Sequence, residues 1–213
     1  MGRAIQAQCK TMPDIKVHDF QAEETEFCDE TVVIDFSSPQ GFVNALQFCI
    51  KNKIPLISGT TGLVDKHLRQ VDDAKKIIPI LIAPNMSLGI ANLKSSIEEY
   101  LSSTNTTVKC KVVEIHHTNK KDSPSGTALE IVRLLENHYG NKIDGSIEIN
   151  SYRVGNIFGI HRIEFKSEAG IINFQHIAGS RKVFATGALN AAKSINSMKI
   201  GEYSFTDFLN KKL

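Results

Sequence analysis

The chain of 213 residues is poor in three features that mark common classes of protein: net charge, long apolar runs and paired cysteines. Lysine and arginine number 25 against 23 aspartate and glutamate residues, which argues against a nucleic-acid binder held by bulk charge. No apolar run approaches the roughly 18 residues that span a membrane, and the first residues contain no apolar signal core. We therefore expect neither a nucleic-acid partner nor a membrane partner.

The four cysteines, Cys9, Cys28, Cys49 and Cys110, form neither a CxxC pair nor a cluster with histidine. This spacing predicts reduced, mostly buried thiols in a cytoplasmic protein. The adjacent histidines 116 and 117 would point to opposite faces of a strand, and no third ligand lies near them. We therefore expect no bound metal.

Short apolar runs alternate with longer amphipathic ones in the first part of the chain. The apolar runs predict strands at 31–36, 54–58 and 77–82. Between them, one helix is predicted from Pro39 and another over 64–75. This order predicts right-handed crossovers and a parallel sheet.

The pattern changes beyond Met86. Helices are predicted at 88–101, 127–139 and 187–198, with a short helix around 207–209; a strand is predicted at 108–115, and an antiparallel hairpin at 160–165 and 171–177. Thr127 and Glu130 have the spacing of a capping box. We expect an α/β first part and an α+β second part, with the C-terminal helix packed on the first part.

The run from Glu114 to Ala128 carries two histidines, a lysine and a Ser-Gly-Thr turn between a predicted strand and a predicted helix. Gly126 and Thr127 would present backbone N–H groups at a helix N-terminus, which suits a carboxylate or phosphate. Lys120 would add positive charge, and a histidine with a pKa near its usual value of about 6.5 can exchange a proton with substrate. The run predicts an anion pocket with a general acid; the alternative is a polar loop with surface histidines.

Three other segments could contact ligands. Residues 59–62, Gly-Thr-Thr-Gly, follow a predicted parallel strand, and ligands of such sheets bind beyond the strand ends. Their hydroxyls could contact ribose or phosphate, or the segment could be an ordinary turn. Residues 83–86 follow the next strand and would share that edge. Arg181 could hold a carboxylate bidentately, or it could be a solvated surface arginine.

The run His116-His117-Thr118-Asn119-Lys120-Lys121-Asp122-Ser123-Pro124-Ser125-Gly126-Thr127-Ala128 resembles the characteristic segment of the dihydrodipicolinate reductase (4-hydroxy-tetrahydrodipicolinate reductase) family. Residues 33–39, 59–62 and 83–86 resemble the family's earlier segments in the same order. Residues 159–161, 179–181 and 183–188 resemble its C-terminal segments.

This resemblance implies a Rossmann-like parallel-sheet dinucleotide-binding domain, N-terminally incomplete, made of residues 1–87 with 185–213. Residues 88–184 would form an α+β substrate-binding and oligomerisation domain with a mixed sheet. The implied activity is reduction of (2S,4S)-4-hydroxy-2,3,4,5-tetrahydrodipicolinate with NADH or NADPH in lysine and diaminopimelate synthesis. The family enzyme is cytoplasmic and usually a homotetramer.

The resemblance also implies roles for individual residues. His116 would donate or accept the proton, and Lys120 would be the second donor. The implied substrate contacts are His117, Gly126, Thr127 and Arg181, and the implied dinucleotide contacts are Gly59, Thr60, Thr61, Ala83, Pro84, Asn85 and Met86.

The N-terminal segment departs from the family pattern. Met1-Gly2-Arg3 matches only the end of the glycine-rich loop that approaches the pyrophosphate, so Met1 is a weakly supported cofactor contact. We expect a misassigned start or lost coding sequence; the alternative is the real chain with weak dinucleotide binding. Residues 15–20 could be the second strand, which would place Asp19 where a ribose-binding acid is expected. The rival to a reductase is a non-catalytic dicarboxylate-binding remnant with an impaired dinucleotide site.

Overall fold

The computed structural model describes residues 1–12, 15–18 and 27–210. The chain divides into two compact units, Met1–Ser87 with Arg181–Leu213, and Leu88–Ser180. The first unit contains the helices α1 Gly2–Cys9, α2 Pro39–Asn52, α3 Asp65–Ala74, α6 Lys182–Ile195 and α7 Phe205–Asn210, and the strands β1 Val33–Asp35, β2 Leu56–Ser58, β3 Pro79–Ile82 and β8 Gly201–Tyr203. The second contains the helices α4 Leu88–Ser103 and α5 Gly126–Tyr139, a 3-10 turn Gly140–Lys142, and the strands β4 Lys109–His116, β5 Glu148–Arg153, β6 Ile160–Ser167 and β7 Gly170–Ile177.

The sheet of the first unit is parallel throughout, in the order β1-β2-β3-β8. Asp35 lies opposite Ser58, and Ser58 lies opposite Ile82, so the carboxyl ends of β1, β2 and β3 meet at one edge. The predicted parallel sheet is confirmed. Ligands of such sheets bind at this edge, which fixes where the loops after β2 and β3 matter.

The helix α2 shows how local sequence sets the ends of an element. Pro39 is its first residue, and the Ser38 hydroxyl accepts a hydrogen bond from the Gly41 N–H at 3.2 Å. Lys53 ends the helix in the left-handed conformation, with φ at 55°. The buried side chains of Phe42 and Leu46 then hold α2 in the apolar core beside the sheet.

The helix α6 begins at Lys182 rather than at 187, and it belongs to the first unit. Its Gly187 faces the backbone after β3: a Cβ there would lie 1.7 Å from the Met86 carbonyl oxygen. A side chain at this position is therefore impossible without moving the helix. Gln8 of α1 donates a hydrogen bond to the Thr186 hydroxyl at 2.6 Å, which ties α1 to the same helix.

The sheet of the second unit is mixed, in the order β5-β4-β6-β7. β4 pairs with β5 in parallel and with β6 antiparallel, and the β6–β7 hairpin is antiparallel as predicted. The helices α4 and α5 bring apolar side chains to the core of this unit, among them Ile97, Leu101, Ile131 and Leu135. The expected α+β second part is confirmed.

Some expectations fail. Residues 15–18 form no strand, so the strand predicted at 15–20 is wrong over those residues, and its last two residues lie outside the described ones. The elements α1, β5 and β8 were not predicted.

All four cysteines are free, and Cys9, Cys49 and Cys110 are buried, as predicted. Within the three described stretches, no helix combines the length and apolar character needed to cross a bilayer.

The contact at Gly187 gives a direct test of the packing. We expect Gly187→Ala to lower the free energy of unfolding by about 2–3 kcal/mol, because the added methyl meets the Met86 carbonyl. Urea unfolding measures the change. The control Gly140→Ala adds the same methyl where no atom lies within 4 Å, and it should change stability by less than about 1 kcal/mol. Equal effects of the two substitutions would contradict the close approach.

Candidate active site

The second unit places the predicted catalytic run between a strand end and a helix start. His116 is the last residue of β4 and is buried, while α5 begins at Gly126. The Ser125 hydroxyl caps α5 by accepting a hydrogen bond from the Ala128 N–H at 3.2 Å. The predicted cap at Thr127 is therefore wrong. Gly126 and Thr127 lie in the first helical turn, where backbone N–H groups have no acceptor within the helix.

Lys120 lies beside this helix start. Its Nζ contacts Asp122 Oδ1 at 2.8 Å. Burial alone would raise the pKa of Asp122, but the hydrogen bond and charge of Lys120, with a smaller contribution from the Gly126 N–H, hold that pKa below its ordinary value. Asp122 therefore links the ammonium of Lys120 to the positive end of α5. His117 precedes them, and its carbonyl accepts the Lys120 N–H at 3.1 Å.

The fully buried carboxylate of Glu114 contacts the His116 ring from the interior of the second unit. Glu114 Oε2 contacts His116 Nδ1, and Glu114 Oε1 contacts Arg153 Nη2 at 2.9 Å and accepts the Ser125 N–H at 3.2 Å. Burial raises the pKa of Glu114, but hydrogen bonds led by those from His116 and Arg153 outweigh it and lower the pKa to about 2. Glu114 is thus an anion inside the unit.

A second buried imidazole, His161 of β6, packs against His116. The ring centroids lie 5.0 Å apart in an edge-to-face arrangement, and His161 Nε2 lies 3.3 Å from the Ser125 hydroxyl. Burial, followed by the charge of His116, lowers the pKa of His161 to about 3. His161 is therefore a neutral ring near neutral pH. Sequence reasoning assigned no role to Glu114, Arg153 or His161, although Glu114 and His116 share a strand face by their i, i+2 spacing.

The edge of the first sheet is organised by another buried carboxylate. Asp35 accepts hydrogen bonds from the Ser37 N–H at 3.0 Å, the Ser58 hydroxyl at 2.8 Å and the Thr60 hydroxyl at 2.7 Å. Thr60 Oγ1 also accepts the Ser37 N–H at 3.0 Å. The Thr60 hydroxyl is thus engaged within the protein, and its contact with ribose or phosphate stays a prediction. Thr61 beside it is half-buried.

The other strand-end residues are shaped by packing as well. A Cβ at Gly59 would lie 2.1 Å from the Phe36 ring, so this glycine is required by a side chain of the protein itself. Ala83 is buried, Pro84 and Asn85 are half-buried, and the Met86 side chain lies entirely in the core. In the loops after β2 and β3, the partly exposed residues among the predicted contacts are therefore Thr61, Pro84 and Asn85.

Three predicted site residues lie elsewhere. Met1 precedes α1, and burial, together with the nearby Arg181 charge, lowers the pKa of its amino group. Arg181 precedes α6 in the first unit and is exposed, so its contact with substrate stays a prediction. Asp19 lies outside the described residues.

Comparison with known proteins decides the family. Family models described as the N-terminus and the C-terminus of dihydrodipicolinate reductase match residues 1–86 and 89–209. The chain belongs to the dihydrodipicolinate reductase family. It is accordingly an oxidoreductase of that family, and the resemblance seen in the His116–Ala128 run is confirmed.

Two relatives and one solved structure illustrate the match. A 4-hydroxy-tetrahydrodipicolinate reductase of Alkaliphilus metalliredigens is 37% identical over 191 residues, covering 84% of this chain and 80% of the relative. The protein of that name from Rickettsia akari is 32% identical over 230 residues, covering 100% of this chain and 94% of the relative. The dipicolinate-bound dihydrodipicolinate reductase from Paenisporosarcina sp. TG-14 has a TM-score of 0.64 at 20% identity, covering 81% of this chain and 71% of that one, and it supports the fold.

The buried His161 predicts how stability depends on pH. Its pKa is about 3 when folded and about 6.5 when unfolded, so below about pH 6.5 the unfolded state binds more protons and stability is lost as pH falls. Between about pH 7 and pH 5 we expect this residue to cost about 2 kcal/mol of unfolding free energy. Urea unfolding of His161→Gln should show most of that loss removed. The control His138→Gln, at an exposed position of α5, should keep the wild-type pH dependence; the same dependence in His161→Gln would contradict the prediction.

Proposed function

We propose that the chain reduces (2S,4S)-4-hydroxy-2,3,4,5-tetrahydrodipicolinate to tetrahydrodipicolinate and water with a pyridine nucleotide, in lysine and diaminopimelate synthesis in the cytoplasm. Family membership supports the activity. The observation that carries the residue assignment is the grouping, in one unit, of a buried imidazole, an ammonium and a helix N-terminus at His116, Lys120 and Gly126.

The substrate is a dicarboxylate, and the first turn of α5 suits one of its carboxylates. The backbone N–H groups of Gly126 and Thr127 would donate to it, and the helix dipole would favour its charge. Lys120 supplies the compensating cation, since its ammonium already lies beside a carboxylate at this place. His117 and Arg181 are proposed as further substrate contacts.

His116 would give the proton that completes the reduction. Its Nδ1 faces Glu114, so Nε2 is the nitrogen left to transfer a proton to the carbon that becomes electron-rich. Lys120 would be the second proton donor. Each turnover then adds one hydride and one proton to the substrate and releases water.

The first unit fits a pyridine dinucleotide at the edge of its sheet. Three parallel strands end there together, and Thr61, Pro84 and Asn85 are half-buried in the loops that follow β2 and β3. Residues Gly59, Thr60, Thr61, Ala83, Pro84, Asn85 and Met86, with Met1, would hold it. When bound, the dinucleotide supplies the hydride. We propose NADH or NADPH as that dinucleotide; Asp19, the residue predicted to contact the ribose, lies outside the described residues.

A homotetramer is proposed for the assembly. Tyr152, Ile115, Ile160 and Ile177 stand side by side across the sheet of the second unit, on the face opposite its core. Ile177 is 58% exposed, and a second copy of this chain would cover such an apolar row.

Light scattering tests this assembly. The wild type should have the mass of a tetramer, and Ile177→Lys should lower it because a charge enters the row. The control Ile200→Lys changes an equally exposed residue (59%) of the first unit and should leave the mass unchanged. A monomeric wild type, or a tetramer indifferent to Ile177→Lys, would overturn the assignment.

The activity is tested by following the absorbance of NADH or NADPH with substrate made freshly from pyruvate and aspartate semialdehyde. We expect oxidation that depends on the substrate. In the same assay His116→Gln should lower kcat by about 10²–10⁴-fold with little change in KM, because a general acid acts in the transition state. The control His138→Gln should behave as wild type.

Two results would count against the proposal. Substrate binding without turnover in the wild type would favour the non-catalytic remnant. Turnover that His116→Gln leaves unchanged would remove His116 from the acid role.

A further inference from the structure

We propose that Glu114 is a positioning residue for the reduction: its carboxylate fixes the His116 ring with the proton on Nδ1, so that Nε2 is the nitrogen that exchanges a proton with substrate. Arg153 in turn fixes Glu114. This inference rests on the proposed function and adds two residues to its machinery.

The contacts of Glu114 favour one orientation of His116. An ionised carboxylate can only accept hydrogen bonds, so the His116 Nδ1 that contacts Oε2 must carry a proton. The other oxygen, Oε1, is engaged by Arg153 Nη2 at 2.9 Å and by the Ser125 N–H at 3.2 Å. Because both oxygens are occupied and Glu114 is fully buried, the carboxylate cannot turn away from the ring.

The surroundings of Nε2 agree with this assignment. Gly159 lies against that edge of the ring, and a Cβ there would be 3.0 Å from Nε2. The absence of a side chain at this position leaves room beside the nitrogen that would meet substrate. The opposite nitrogen has no such room, since it faces the buried carboxylate.

Among the charged groups around His116, Glu114 is the anion that stabilises the protonated ring. Several titratable or charged groups face this region: Glu114 of β4, Arg153 of β5, His161 of β6, and Lys120 and Asp122 of the loop between β4 and α5. His176 of β7 pairs with His161 across the β6–β7 hairpin. His161 stays neutral because burial keeps its pKa near 3. Arg153 and Lys120 are cations, and the Asp122 carboxylate pairs with Lys120. Glu114 is therefore the carboxylate in contact with the His116 ring when that ring is protonated.

Steady-state kinetics over a range of pH tests the role. Glu114→Gln keeps the size of the side chain but removes its charge, so the protonated ring becomes less favourable. We expect kcat to fall at least about tenfold with little change in KM, and the alkaline limb of the kcat profile to move to lower pH. A purely structural role would lower the melting temperature and leave the position of that limb unchanged.

A second variant separates charge from geometry and covers the case in which Glu114→Gln does not fold. Glu114→Asp keeps the charge but shortens the reach to Nδ1, so kcat should fall while the alkaline limb stays at its wild-type position. The exposed Glu99→Gln of α4 serves as a matched control and should change neither quantity.

The outcomes also separate this inference from the proposed function. Wild-type turnover with an unchanged profile in Glu114→Gln, or with unchanged kcat in Glu114→Asp, would overturn the role of Glu114 alone. A wild type without turnover would overturn the proposed function instead.

Discussion

The buried carboxylate of Glu114 is the interaction on which the site of the second unit depends. One ionised group joins the end of β4 to β5 through Arg153 and to the start of α5 through the Ser125 N–H. Burying a charge is costly unless it is paired and hydrogen-bonded, and here both oxygens are engaged. The same contacts that make the ion tolerable therefore hold His116 and the helix N-terminus in a fixed relation.

In the first unit, another buried carboxylate, that of Asp35, organises the loops at the sheet edge. Asp35 draws the Ser58 and Thr60 hydroxyls and the Ser37 backbone to one point at the ends of β1 and β2. This network shapes the loops proposed to hold the dinucleotide, and it explains why Thr60 faces inward. In each unit a buried acid at a strand end organises the neighbouring backbone, and other groups are left to contact the ligand.

The sequence patterns predicted the elements whose position depends on residues close together in the chain. The apolar runs located β1, β2 and β3, Pro39 marked the start of α2, and the run from His116 to Thr127 was correctly placed between a strand and a helix. β5 was missed because Glu148–Arg153 is a polar segment that becomes a strand by pairing with β4. The capping role of Ser125 is local, since its hydroxyl accepts from the Ala128 N–H three residues on, but the spacing of Thr127 and Glu130 favoured the wrong residue. The inward turn of Thr60 depends on Asp35, a partner distant in sequence that no spacing rule connects to it.

The central claim is that Glu114 holds the neutral His116 ring with its proton on Nδ1. Nitrogen-15 NMR of histidine-labelled wild-type protein tests it directly, with the His116 signals assigned by their loss in His116→Gln. In spectra recorded at a pH where the His116 ring is neutral, the account predicts a protonated Nδ1 and an unprotonated Nε2. A proton on Nε2, with Nδ1 bare beside Glu114, would contradict the account and leave the carboxylate without its role in proton transfer.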